Sequence, residues 1–145
     1  MRIHLIGIGG IGVSALARYF KSEGWQVSGS DSSPSPLLRE LGSEGIKIYI
    51  GHRKKNLNPK TDLVVFTQAI PPNNLELKEA KRLKIRALTY PQALGWLTKT
   101  FTTVAIAGTH GKSTATALTA LALIEGKRDP TVIVGTKVPQ LRGKN

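Results

Sequence analysis

Residues 2–20 read RIHLIGIGGIGVSALARYF, an apolar run that passes through glycines into a helical pattern. Gly7, Gly9 and Gly12 stand in G-x-G-x-x-G spacing at that junction. After a strand and before a helix, this spacing has a mechanical meaning. The first glycine permits a tight turn, the second lets a diphosphate reach the backbone, and the third lets helix pack on strand. The helix beginning near Gly12 would aim free N–H groups and its positive dipole end at the phosphates. Val13, Leu16, Ala17 and Phe20 recur at i, i+3, i+4 and i+7, and Gly24 ends the run.

Further strands and helices follow in alternation. QVSGS (Gln26–Ser30) predicts a second strand ending at Asp31, where a carboxylate can accept a ribose hydroxyl. SPSPLLRELGSEG predicts a helix with prolines at its start and glycines at its close. KIYI (Lys47–Ile50), DLVVFT (Asp62–Thr67) and IRAL (Ile85–Leu88) predict three more strands. NNLELKEAKRL predicts a helix capped by Asn73 or Asn74 with Leu77, Ala80 and Leu83 facing inward, and YPQALGWLTK a short one. Each crossover must return the chain to the same edge, so the alternation predicts an α/β fold: a Rossmann-like, doubly wound parallel sheet. Alone, the first loop would suit a nicotinamide or flavin enzyme.

A second loop argues otherwise. VAIAGTHGKSTATAL (Val104–Leu118) again joins an apolar run to a helical pattern, now through Gly-Lys-Ser. Backbone N–H groups would wrap the phosphates of a nucleoside triphosphate. Lys112 would reach the β and γ oxygens, and the Ser113 hydroxyl would join a Mg²⁺ shell. The fit to G-x-x-x-x-G-K-[ST] is imperfect, because Ile106 stands at its first glycine. His110 has two readings, a phosphate contact or a residue that holds the loop's shape. The pattern restarts near Thr100, so a boundary is placed at Lys99/Thr100. Residues 1–99 then form the first unit, and residues 100–145 open a P-loop ATPase-type α/β domain. TFTTVAIAG and TVIV are its expected strands, and Leu118, Leu121 and Ala122 its buried helix stripe.

Composition narrows the classes. No cysteine is present, which excludes disulfides, thiolate metal sites and a cysteine nucleophile, and fits a cytoplasmic protein. No segment approaches the roughly 18 apolar residues of a membrane span, and no cleavage site follows the first residues, so neither membrane nor signal peptide is expected. A formal charge of +12 invites nucleic acid. The basic groups Arg53–Lys55 and Lys78–Arg86 lack interleaved aromatics, however, and no specific nucleic-acid partner is expected.

GTHGKST after an apolar strand, preceded by IHLIGIGGIGVSALA, SGSD, GH and AIPPNN in that order, resembles the Mur ligase family of peptidoglycan synthesis. The resemblance runs over essentially the whole chain and is nearest to the branch that adds L-alanine. It implies that one glycine loop serves a UDP-sugar diphosphate and the other ATP. Carried over, it puts the diphosphate of UDP-N-acetylmuramate on Ile8, Gly9, Gly10, Ile11 and Gly12. It puts the ribose or uracil near Ser30 and Asp31, with further contacts from His52, Thr67, Ala69 and Ile70. ATP would lie on Gly108, Thr109, His110, Gly111, Lys112, Ser113 and Thr114, with Lys112 offsetting charge on the transferred phosphoryl group and Ser113 on Mg²⁺. The implied reaction phosphorylates the lactyl carboxylate with ATP, and the amine of L-alanine then attacks the acyl phosphate.

The family's later metal ligands and its amino-acid-positioning domain find no counterpart before Asn145. The chain is therefore expected to be an N-terminal part, inactive alone, whose incomplete second unit leans on the first or self-associates. Rival readings are the murein tripeptide recycling ligase, an inactive nucleotide-sugar-binding module, and a dinucleotide-dependent oxidoreductase.

Overall fold

The structure is a computed structural model and describes residues 1–136 and 138. Its elements are β1 (Arg2–Ile6), α1 (Ile11–Ser22), β2 (Gln26–Asp31), α2 (Pro36–Ser43), β3 (Lys47–Ile50), β4 (Leu63–Phe66), α3 (Leu75–Arg82), β5 (Arg86–Thr89), α4 (Tyr90–Leu97) and α5 (Lys112–Glu125). The five strands form one sheet in the order β3-β2-β1-β4-β5, every neighbouring pair parallel. This is the Rossmann-like, doubly wound sheet that the alternating pattern predicts.

Handedness distributes the helices. From β1 the chain steps outward to β2 and β3, so right-handed crossovers put α1 and α2 on one face. It then returns past β1 to β4 and β5, stepping the other way, and the same hand puts α3 on the opposite face. Strand alternation matches. Ile3, Leu5, Val27, Leu63 and Val65 pack with Val13, Leu16, Phe20, Leu38 and Leu41 of α1 and α2, and with Ala93 and Leu97 of α4. Ile6 and Val64 point the other way, onto Leu57 and Ala80, with Leu77 and Leu83 packed alongside. Arg18 of α1 clamps α2, its guanidinium bonding Glu44 at 2.8 and 3.0 Å and Glu40 at 2.8 Å.

Capping chemistry sets the helix starts. Asn74 Oδ1 accepts from the N–H groups of Glu76 (2.8 Å) and Leu77 (3.2 Å), so Asn74 rather than Asn73 caps α3. Ser35 does the same for α2, and Thr89 and Gln92 form a reciprocal capping box on α4.

Beyond residue 100 the outcome departs from expectation. TFTTVAIAG and TVIV form no strand, because neither finds a sheet edge to pair with among the described residues. Helix α5 is present but buries a different stripe. Ala120 is covered by Val132, Val134 and Val138, with Ala117, Leu121 and Ile124 half-buried around them. Leu118 stays 62% exposed and Ala122 is also exposed, since no sheet lies beneath them. This unit touches the first through Ile133, against the α1–α4 core, and through Phe101, edge-on to Tyr19 at 6.2 Å. Positions 137 and 139–145 of the expected second unit lie outside the described residues.

Candidate functional site

A parallel sheet gathers the loops that follow its strands along one edge, and the crevice opens where the strand order reverses. Here that point lies between β1 and β4. The edge carries Gly7–Gly10 after β1, Asp31 ending β2, Gly51 and His52 after β3, Thr67–Ile70 after β4, and Tyr90 after β5. Ile8, Gly9, Gly10, Ile11, Gly12, Ser30, Asp31, His52, Thr67, Ala69 and Ile70 are thus brought to one edge.

The first loop is built by its neighbours. The N–H groups of Gly7 (2.8 Å) and Ile8 (3.1 Å) both donate to the Ser30 carbonyl. Gly9 N–H donates to Asp31 Oδ2 at 2.8 Å, while Asp31 Oδ1 accepts from Ser32 N–H at 2.8 Å. Gly7 has φ +80°, and a Cβ there would overlap the Thr67 methyl. At Gly12 a Cβ would lie 2.6 Å from the Tyr90 hydroxyl, so the phenol packs directly on the first turn of α1. Burial pushes the Tyr90 phenol above its usual value. Gly10 caps α1 with no side-chain bond. Helical geometry leaves the N–H groups of Ile11, Gly12 and Val13 without an intrahelical acceptor, an anion-binding arrangement.

Beneath this edge, on the α3 face, sits a buried charge. Glu76 is 0% exposed. Its Oε2 accepts from Ser30 Oγ at 2.5 Å and lies 3.3 Å from His52 Nδ1. Its Oε1 accepts from Asn56 Nδ2 at 2.6 Å and Arg53 N–H at 3.3 Å. His4 Nε2, buried without a hydrogen-bond partner among the described residues, lies 3.6 Å from Oε2. Burial pushes the Glu76 carboxyl up, but the His4 imidazole, the Ser30 hydroxyl and the Asn56 amide outweigh it. The result is a group held at about 2, ionised throughout the ordinary pH range. Ser30 is itself 0% exposed, with its hydroxyl turned to Glu76 and 3.0 Å from His52 Nδ1. His52 keeps 20% of its side chain exposed.

Sequence reading passed over Glu76, His4, Asn56 and Tyr90. A signal for the first existed: Glu76, Ala80 and Leu83 stand at i, i+4 and i+7, which puts a carboxylate on the buried stripe of α3. His4 likewise alternates with Ile3 and Leu5, on the face of Ile6.

The second loop lies apart. Gly108, Thr109, His110, Gly111, Lys112, Ser113 and Thr114 are all exposed and share no hydrogen bond with the first group among the described residues. Gly111 at φ +75° precedes α5, whose first intrahelical bond runs from Ala115 N–H to the Gly111 carbonyl (2.9 Å). The N–H groups of Lys112, Ser113 and Thr114 therefore lack intrahelical acceptors. Lys112 Nζ folds back, donating to the carbonyls of Gly108 (2.6 Å) and Thr109 (3.1 Å). Among the described residues no group of three His, Asp or Glu is placed to hold a metal, and no helix is long and apolar enough to cross a membrane.

Known proteins resemble this chain in sequence and fold. The UDP-N-acetylmuramate–L-alanine ligase of Clostridium beijerinckii is 44% identical over 143 residues, covering 98% of this chain and 31% of its own length. That of Aquifex aeolicus is 41% identical over 140 residues, covering 97% and 31%. The crystal structure of the UDP-N-acetylmuramate–alanine ligase of Thermotoga maritima matches with a TM-score of 0.91 at 32% identity, over 99% of this chain and 34% of that one. A murein peptide ligase of Psychrobacter arcticus matches with a TM-score of 0.83 at 29% identity, over 98% and 31%. The chain thus spans about a third of the length of these relatives. The family model described as the catalytic domain of the Mur ligases matches residues 2–102, which hold β1–β5 and every loop at the sheet edge, and the chain belongs to the Mur ligase family.

Proposed function

We propose that residues 1–99 form the UDP-sugar-binding unit, and residues 100–145 the opening of the ATP-binding unit, of an ATP-dependent ligase of the bacterial cytoplasm. It joins L-alanine to UDP-N-acetylmuramate in peptidoglycan synthesis. The observation that carries this reading is the single edge that unites the glycine loop, the free N–H groups of Ile11–Val13, Asp31 and His52. An anionic diphosphate suits the helix start, and a nucleoside suits the hydrogen-bonding groups at the ends of β2 and β3.

The geometry is consistent with the following roles. Ile8–Gly12 cradle the diphosphate through backbone N–H groups. Ser30 and Asp31 shape that cradle from β2, and Asp31 keeps free lone pairs for a ribose hydroxyl. Thr67, Ala69 and Ile70 line the far side of the crevice. The donors of Gly108–Thr114 suit ATP: a cation on Lys112, a helix start, and the Ser113 hydroxyl for a Mg²⁺ that keeps most of its waters. ATP would supply the phosphoryl group that turns the lactyl carboxylate into an acyl phosphate with a leaving group. Lys112 would offset charge on that phosphoryl group once released from its own loop.

The exposure of the second loop favours one further reading for this length of chain: nucleotide-sugar binding without turnover. Calorimetry with UDP-N-acetylmuramate, UDP, ATP and NADH separates the possibilities. UDP binding without NADH binding is expected, and NADH binding without UDP binding would refute the assignment. Purified chain free of other ligases is expected to make no alanyl product. Product formation would exclude the binding-only reading.

A further inference from the structure

The buried carboxylate of Glu76 has no place in the binding scheme above, yet it reaches the exposed edge through one side chain. An ionised carboxylate only accepts hydrogen bonds, so every polar group facing it must donate. Ser30 has a single hydroxyl proton, and its 2.5 Å contact with Glu76 Oε2 places that proton there. Toward His52 Nδ1, 3.0 Å away, the Ser30 oxygen can then only accept. His52 Nδ1 must carry a proton, shared between Ser30 Oγ and Glu76 Oε2, the latter 3.3 Å away. Asn56 Nδ2 and Arg53 N–H donate to the other carboxylate oxygen, so donors meet the carboxylate on both of its oxygens.

We propose that Glu76 is a positioning residue that, through Ser30, fixes neutral His52 as the Nδ1–H tautomer, so that Nε2 faces the nucleotide site as a hydrogen-bond acceptor. His52 then selects a donor on the nucleoside, a ribose hydroxyl or the uracil imide N–H, rather than a phosphate oxygen. This rests on the nucleotide-binding reading for its ligand but not for its tautomer, which belongs to the free protein.

Both halves are testable. The chain holds three histidines, so ring ¹⁵N resonances can be assigned to His52 by comparison with His52→Ala. At a pH where the ring is uncharged, the free wild-type chain should show protonated Nδ1 and bare Nε2. In Glu76→Leu the Ser30 proton is released toward His52, and the Nδ1–H fraction should fall. A wild-type ring protonated on Nε2 overturns the proposal, whether or not Glu76→Leu folds. For the ligand, UDP is compared with 2′-deoxy-UDP, 3′-deoxy-UDP and N3-methyl-UDP on wild type and His52→Ala. One analogue should lose about three- to tenfold in affinity on wild type and nothing on His52→Ala, the worth of one hydrogen bond. A deoxy penalty identifies the ribose and an N3-methyl penalty the uracil. Equal penalties on both proteins would refute nucleoside recognition by His52. Failure of UDP itself to bind would refute the nucleotide reading and leave the tautomer to the spectra.

Discussion

Replacing Glu76 by Gln removes a charge that the fold has organised and leaves nearly the same shape. The carboxyl shifts from an ordinary 4.5 to about 2. That difference is worth at most about 3.5 kcal/mol at about 1.4 kcal/mol per unit, for a side chain that is buried. The sign follows from a folded-state value below the unfolded one. The stability is present above about pH 4.5 and is lost as pH falls through the window down to about 2, since the unfolded chain takes up the proton first. By about pH 3.5 roughly 1.4 kcal/mol is already gone. Urea unfolding followed by circular dichroism, on wild type and Glu76→Gln at several pH values, reads this directly. Wild type should be more stable by about 2–3 kcal/mol at neutral pH, and the gap should narrow steadily on acidification. A gap that stays constant from neutral pH to pH 3.5 would show that the two side chains differ in packing and not in charge.

Gly9→Val adds a Cβ that would lie 2.8 Å from Asp31 Oδ2 and 3.7 Å from a Leu38 methyl, both side-chain ends that can move. UDP binding should be lost while the unfolding midpoint changes little, and retained binding by calorimetry would contradict the diphosphate cradle. Gly29→Ala meets the backbone carbonyl of Leu5 at 2.7 Å as well as the Ile8 side chain, its Cδ1 at 2.5 Å and its Cβ at 2.9 Å. It should cost about 1–3 kcal/mol in thermal or urea unfolding, and an unchanged midpoint would count against the close contact of β1 and β2. Amide exchange should be much faster over Val104–Ala122 than over Arg2–Ile6, because the first segment has no sheet to hold it. Equal protection of the two would mean that the second unit is better braced than its contacts indicate.

Much of the fold could be read from residues alone because each local signal agreed with the next. The spacing of Val13, Leu16, Ala17 and Phe20 fixes the inner face of α1, and all four are buried. Asn74 at the head of α3 fixes where that helix begins. The loops at the sheet edge were legible as a set for the same reason: glycines, Asp31 and His52 each stand at the end of a predicted strand. Glu76 was missed because a carboxylate on a buried stripe contradicts the simple expectation for charged residues. Only its partners, distant in sequence at Ser30, His52 and Asn56, explain it. Thr100–Gly108 failed in the opposite direction. Its residues have strand character, but a strand needs a neighbour, and composition says nothing about whether one is within reach.

The carbonyl of Ser30 holds the N–H groups of Gly7 and Ile8, and the next residue's carboxylate holds that of Gly9. The glycine segment therefore owes its shape to two residues that follow it by some twenty positions in the sequence. Moved into another sheet by itself, IGIGGIG would lose these acceptors. Its freed N–H groups would turn to water or to one another, and Gly7 would have no reason to keep its left-handed turn. The smallest transplantable part is a pair of adjacent parallel strands, β1 with its loop and β2 through Asp31. A chimera that draws those two strands from different relatives must match the last two positions of β2 to the loop it receives.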